Sequence, residues 1–381
     1  ELIGNLKDVS TGEAAAIGGW MMVAYSVMQF FFAPVMGELS DRFGRRPLLL
    51  IALFGLGCDY LFHAYAPTLT WLFIGRIIAG VAGSSFTVAT AYIADISTKE
   101  NKAKNFGLVG AAFGLGFIIG PVIGGLFGEW YGFRAPFFVA ASLTLLNFLY
   151  GLLFIPESLP SEKRRPIKLT NMIPGVSLGN LSKYKAFGGL ILAFFLANLA
   201  GQALPSTWSF FTIERLGFSE IDIGISLAVV GFLVAIVQAG LIGTVVKKFG
   251  QKRTIMGGFV LWSIGMFLFS IAGSTIALYL FLIPYVLGGV AGPTLQGLLS
   301  NNVSPSEQGN LQGALTSMVS VSAIIGPLMC TQVFNFTTAE NTAFYYPGSP
   351  FALGAVLLLS GTAIAYFSLR KLGAEFISDQ S

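Results

Sequence analysis

Long apolar runs alternate with short polar ones along most of this chain. A helix that crosses bilayer hydrocarbon needs roughly 20 mostly apolar residues, and eleven stretches meet that length. Five lie in the first half, at about 17–36, 48–66, 70–93, 105–128 and 135–155. Six lie in the second, at about 187–205, 221–245, 254–273, 276–299, 311–333 and 350–370. The pattern predicts an all-α polytopic membrane protein. It has an N-terminal bundle over residues 1–156, a polar, basic linker over 157–185, and a C-terminal bundle with a short tail over 186–381.

The two halves are copies. Ile118-Ile119-Gly120-Pro121 recurs as Ile324-Ile325-Gly326-Pro327, 206 residues further on (324 − 118). The same offset lays Gly37, Arg42, Phe43, Gly44 and Arg46 on Gly243, Lys248, Phe249, Gly250 and Lys252, and Gly107 on Gly313. One shift that aligns three separate places is an internal duplication. In an apolar chain, two related halves are the plan of many secondary transporters, with the substrate site at the repeat interface. Shifted back by the same amount, the span at 187–205 ends just before Glu1. The expected partner is therefore a first span upstream, with residues 1–13 as the loop after it and two pseudo-symmetric six-helix bundles in the intact protein.

Composition fits this picture. Of 381 residues, 54% are hydrophobic and only 10% charged, well below the quarter usual for soluble domains. Glycine is abundant, at 47 residues, as membrane helices tolerate. The net charge of +4 does not suggest nucleic acid, because the cations sit in loops. One alternating set of loops holds Arg42, Arg45, Arg46, Lys99, Lys102, Lys104, Lys163, Arg164, Arg165, Lys168, Lys183, Lys185, Lys247, Lys248, Lys252, Arg253, Arg370 and Lys371. The other holds Lys7, Arg134 and Arg215. Eighteen against three places the first set, and the C-terminus, on the cytoplasmic side. Cys58 and Cys330 lie in spans of opposite halves and give no disulfide or metal framework.

The candidate chemistry is sparse. Asp59, His63 and Arg76 are ionisable residues well inside predicted spans, where charge is costly and marks function by default. Asp59 stands nine residues before the outer turn near Thr68 and Arg76 eight after, so they share a depth. His63 is four residues from Asp59, on the same helix face. Two readings stand: Asp59 and Arg76 form a fixed structural pair, or Asp59 gains and loses a proton during a cycle. In the loop Gly37–Arg46, the glycines Gly37 and Gly44 permit a tight turn. There Asp41, Arg42, Arg45 and Arg46 can pair with one another or with Asp95, either as a gate that opens and closes or as a plain anchor. Gly116, Gly120 and Gly124, spaced by four, offer a smooth packing face, and Pro121 favours a kink. The second half has no ionisable residue deep in a span. Its amides, Asn198, Gln202, Gln238, Gln296 and Gln312, with Phe194, Phe195, Trp208 and Trp262 nearby, suit an amphipathic organic molecule. Gln202, Gln238 and Gln296 are the preferred substrate contacts, with Asn198 and, from the first half, Gln29 behind them.

The loop GELSDRFGRR (Gly37–Arg46) resembles the signature of the major facilitator superfamily. GRIIAGVAG (Gly75–Gly83) resembles that superfamily's fourth-span motif with its intramembrane Arg. GLGFIIGPVIGG (Gly114–Gly125) is similar to the motif its antiporters carry in the fifth span. Nearly the whole chain, including GCDY (Gly57–Tyr60), GPTLQG (Gly292–Gly297) and QGNLQG (Gln308–Gly313), resembles the bacterial tetracycline/proton antiporter group.

The resemblance implies a major facilitator fold and efflux of an amphipathic drug by alternating access in the bacterial inner membrane. Protons drive it, a monomer suffices, and no cofactor is needed. No P-loop is present to use ATP, so the proton gradient is the implied energy source. It further implies a coupling role for Asp59 and Arg76, and for Gly116, Gly120, Pro121, Gly124 and Gly125 a bend or seal against proton leak. Some members of the group carry a His where this chain has Val234, and an acid where it has Leu261 or Trp262. A facilitator that imports or exports a small metabolite is the alternative. A membrane enzyme is disfavoured by the single His and the lack of a metal-ligand cluster or nucleophile motif.

Overall fold

The computed structural model describes residues 2–98, 102–167, 169–173, 187–303, 308–339, 342 and 344–378. Of the loop cations, Lys99, Lys168, Lys183 and Lys185 lie outside these residues, as does the linker over 174–186. The side chains of Lys102, Lys104, Lys163 and Gln308–Asn310 are also outside them.

All regular structure among the described residues is helical. In chain order the helices are α1 (Leu2–Lys7), α2 (Thr11–Phe43), α3 (Arg45–Ala64), α4 (Leu69–Gly83), α5 (Ser85–Asp95), α6 (Lys102–Tyr131) and α7 (Ala135–Phe154). There follow α8 (Gly188–Gly201), α9 (Ala203–Leu216), α10 (Glu220–Ile236), α11 (Ile242–Ser270), α12 (Thr275–Gly288), α13 (Ala291–Asn301), α14 (Gln308–Thr338) and α15 (Ser349–Ser378). Backbone groups have no water to bond with in hydrocarbon, and an α-helix satisfies them internally.

Among the described residues, ten stretches are long and apolar enough to span a membrane. One of them, Glu220–Ser270, has 51 residues, roughly 77 Å of helix against a core about 30 Å thick. It is broken at Gly250, whose φ of 77° and ψ of 160° are not helical. Divided there, it supplies two of the eleven expected spans.

The duplication is visible in the backbone. Gly44, which separates α2 from α3, has φ 103° and ψ 157°, matching Gly250. Adding 206 to Arg45–Ala64 gives 251–270, the arm of α11 beyond Gly250. Adding it to Ser85–Asp95 gives 291–301, which is α13.

One expected boundary needs correction. Residues 1–13 are not simply a loop: α1 occupies Leu2–Lys7 and α2 already begins at Thr11. The cause is a capping box. Ser10 N–H donates to Glu13 Oε2 at 3.3 Å and Glu13 N–H to Ser10 Oγ at 3.3 Å, starting the helix before its apolar stretch. Ser219 and Asp222 start α10 in the same way.

The chain forms two compact units. One comprises residues 1–9, 20–174 and 219–227; the other comprises 10–19, 175–218 and 228–381. In the first, α3 packs against α4, α5 and α7. One buried cluster there joins Met36, Leu48, Ala52 and Val88. In the second, α11 packs on α12, α13 and α15, and α8 lies against α14 and α15. Its core is aromatic and much bulkier. Trp208, Phe211, Phe269 and Phe351 are almost fully buried, and the Phe269 ring meets those of Trp208 and Phe351 at centroid distances of 5.3 and 5.8 Å. Trp208 and Phe194 are thus core residues, and not exposed walls for a substrate. Phe269→Ala should cost about 3–5 kcal/mol, read as a lowered midpoint of thermal unfolding in detergent. A variant with the wild-type midpoint would show that this cluster is not what holds the second unit.

Candidate functional site

The first unit contains two polar networks, one at the Gly44 turn and one inside α3. At the turn, the positive φ of Gly44 lets the chain reverse between α2 and α3. A Cβ there would also collide with the Glu157 carboxylate and lie 3.0 Å from Arg164 Nη2. Arg45 is buried. Its Nη1 sits 2.6 Å from Asp41 Oδ1 and donates to Ser40 Oγ at 2.6 Å, and its Nε donates to Asp95 Oδ2 at 3.1 Å. Glu157 lies at the N-terminus of α3, where Oε1 accepts the Arg45 N–H at 2.9 Å and Oε2 the Arg46 N–H at 3.2 Å. A carboxylate there satisfies orphan amides and faces the positive end of the helix dipole. Arg46 turns away to donate to the Leu152 carbonyl at 2.7 Å. Arg42 is exposed and takes no part in an ion pair among the described residues. Gly37 lies inside α2 and not in a turn, and a Cβ on it would make only an ordinary contact with Thr87 of α5.

Sequence reasoning did not pick out Glu157, although 112 residues separate it from the Arg45 amide that it accepts. The available signal was an acid immediately after an apolar span, in Pro156-Glu157-Ser158.

Deeper in the unit, Asp59 and His63 occupy successive turns of α3 with side chains only 1% and 2% exposed. His63 Nδ1 lies 2.9 Å from the Asp59 carbonyl and 3.3 Å from Asp59 Oδ2. Both neighbours are acceptors, so Nδ1 carries a hydrogen. The opposite nitrogen, Nε2, and the other carboxylate oxygen, Asp59 Oδ1, are buried without a hydrogen-bond partner. Phe137 of α7 stacks on the imidazole at 5.6 Å and 13°. Gly75 of α4 lies so close that a Cβ would overlap the ring. Arg134 closes the end of the helix, donating to the Ala64 and Ala66 carbonyls at 2.9 and 3.0 Å.

Arg76 follows Gly75 but is not joined to Asp59. No ion pair connects the two; the ionic neighbour of Asp59 is His63. Arg76 is half-buried and lies near Tyr25, as does Tyr60. Adjacent residues on a helix point about 100° apart, so Gly75 facing His63 turns Arg76 elsewhere. A shared depth on two helices does not fix rotation about their axes.

The glycines of α6 also divide. Among the described residues, a Cβ at Gly116, Gly120 or Gly124 would meet no neighbour. Close approach comes from Gly125, where a Cβ would lie 2.5 Å from the Glu220 carbonyl, and from Gly128. Gly224 in turn sits against the carbonyl of Pro121.

The amides have different local partners. Gln29 Nε2 donates to Gly83 O at 3.4 Å, and Asn198 Nδ2 to Phe194 O of its own helix at 2.8 Å. In the second unit Gln202 packs against Gly326, and Gln296 donates to Gln312 at 2.8 Å. Gln238 is exposed in a five-residue π-helical turn, Val237–Leu241. Such turns are rare and recur at functional sites.

The sequence pattern of the Major Facilitator Superfamily matches residues 9–327. The chain belongs to the major facilitator superfamily. It is a multi-span membrane transporter of small molecules and not an enzyme. It is 39% identical over 359 residues to the class C tetracycline resistance protein of Escherichia coli, covering 94% of this chain and 89% of that protein. It is 35% identical over 366 residues to the class H protein of Pasteurella multocida, covering 95% and 89%. Among solved structures, the human organic anion transporter MFSD10 superposes with a TM-score of 0.67 at 25% identity, covering 92% of this chain and 84% of that one.

The two hinge glycines of this facilitator should respond differently to the same change. Gly250→Ala meets no neighbour and carries only backbone strain, about 1–3 kcal/mol. Gly44→Ala adds a collision with Glu157 and should lower both thermal stability and transport further. Equal losses for the two variants would remove the special role of Glu157.

Proposed function

We propose that this facilitator expels an amphipathic drug such as tetracycline in exchange for protons, by alternating access, from a bacterial inner membrane with its C-terminus cytoplasmic. A monomer suffices for the cycle. The substrate class rests on the tetracycline resistance proteins that it resembles over most of its length. The observation that carries proton coupling is the buried Asp59–His63 pair. A lone charge at this depth is costly, whereas the pair stays net neutral as carboxylic acid with imidazole or as carboxylate with imidazolium. Adding one proton makes it cationic, and the unpartnered Nε2 and Oδ1 are the atoms open to that proton. Arg76, near Tyr25, supplies a second intramembrane charge that responds when the pair changes state.

The Arg45 network is the gate in this reading. Asp41, Asp95 and Glu157 hold it in the present conformation, and the conformation that releases it is favoured by the opposite ligand. Proton and drug drive the cycle only in so far as each prefers one conformation. Gln202, Gln238 and Gln296 are the proposed drug contacts, and Gly116, Gly120, Pro121, Gly124 and Gly125 the bend that prevents proton leak.

Energised everted vesicles carrying the protein test this with a pH-sensitive dye. Tetracycline should release protons from the lumen. Asp59→Asn should reduce that signal to background, and His63→Gln should weaken it. A response to another lipophilic drug alone would replace tetracycline as substrate. An undiminished signal in Asp59→Asn would move the proton site elsewhere. Silence across a broad drug panel would favour transport of a small metabolite.

A further inference from the structure

The offset of 206 residues makes each half a reference for the other. In the first half, the beginning of α3 carries Leu48, Ile51 and Ala52, and Leu48 and Ala52 join a buried cluster with Met36 and Val88. The matching residues of α11 are Thr254, Gly257 and Gly258 (48, 51 and 52 plus 206). Gly258 allows close packing on Ala291, but the space beside Gly257 is empty. A cavity of about 340 Å³ results, with apolar walls that include Leu241, Val245, Phe249, Leu261 and Leu287. It is within the size range of small-molecule sites.

Charge is unequal in the same way. In the first half Asp41 and Asp95 neutralise Arg45. Their counterparts are Lys247 and Asn301 (41 and 95 plus 206). The turn at Gly250 therefore carries Lys247, Lys248, Lys252 and Arg253, all exposed, and no carboxylate pairs with them among the described residues. Arg253 lines the cavity. Leu261 lies eight residues further along the helix, about 12 Å deeper into the apolar arm. The groove thus offers cations at one end and hydrocarbon along its depth.

We propose that this groove is a binding site for an anionic phospholipid. One acyl chain lies between the two arms that meet at Gly250, and the phosphate rests on Arg253 and Lys252. A soluble phosphate would leave the apolar walls uncovered. A zwitterionic lipid would bring its own cation into a cluster of four. An anionic lipid matches both ends.

Native mass spectrometry of the full-length protein in detergent, with equal phosphatidylglycerol and phosphatidylcholine, tests the site. Wild type should retain phosphatidylglycerol under activation that strips phosphatidylcholine. Arg253→Gln should weaken that retention about fivefold, the loss of one cation near an anionic headgroup. Gly257→Leu, which fills the open space, should abolish retention without removing a charge. Equal retention of the two lipids, or unchanged retention in both variants, would overturn the proposal. So would displacement of the lipid by soluble glycerol phosphate, or by tetracycline with loss of tetracycline binding in Gly257→Leu, which would make the groove a drug site.

Discussion

Hydrocarbon offers a peptide backbone nothing to bond with, and the arrangement of this chain depends on that constraint. A helix satisfies its own backbone groups, so a full reversal of direction is placed where the backbone can leave the helix at a polar boundary. Gly44 and Gly250 are two such places, one per half, with nearly the same dihedral angles. Everything polar then concentrates at these turns or is embedded at high cost within a span.

The two copies meet the same backbone requirement by different means. The first unit closes its turn with an ionic lattice in which Arg45 is the hub, and within the membrane it embeds Asp59 and His63. The second unit has instead edge-on and tilted rings around Phe269. The duplicated bundles have thus diverged, with buried ionic contacts in one and bulky aromatic packing in the other.

Much of this was legible in the sequence because it is periodic or local. The repeated IIGP sets the offset, and Ser85–Asp95 recurs by it as Ala291–Asn301. The i, i+4 spacing put Asp41 beside Arg45 and Asp59 beside His63. What escaped was tertiary or rotational. Glu157 reaches Arg45 only because the end of α7 packs beside the start of α3. Equal depth suggested that Asp59 could meet Arg76, but the rotation of α4 presents Gly75 to the imidazole. The glycines spaced by four along α6 defined a face, yet not which face is in contact; Gly125 and Gly128 are. Ser10 and Glu13 began a helix outside the apolar window because a cap depends on side-chain hydrogen bonds and not on hydropathy.

The π-helical turn at Val237–Leu241 changes the phase of everything after it. A π turn accommodates one residue more than the regular winding, and one residue is about 100° of rotation. Leu241, Val245 and Phe249 stand at or beyond that point and form one wall of the groove. The aim of that wall is therefore set by a backbone irregularity upstream and not by the residues that compose it. If the winding relaxed to a regular helix, the same side chains would rotate away together, like teeth on a gear slipped by one notch, with no change in their chemistry.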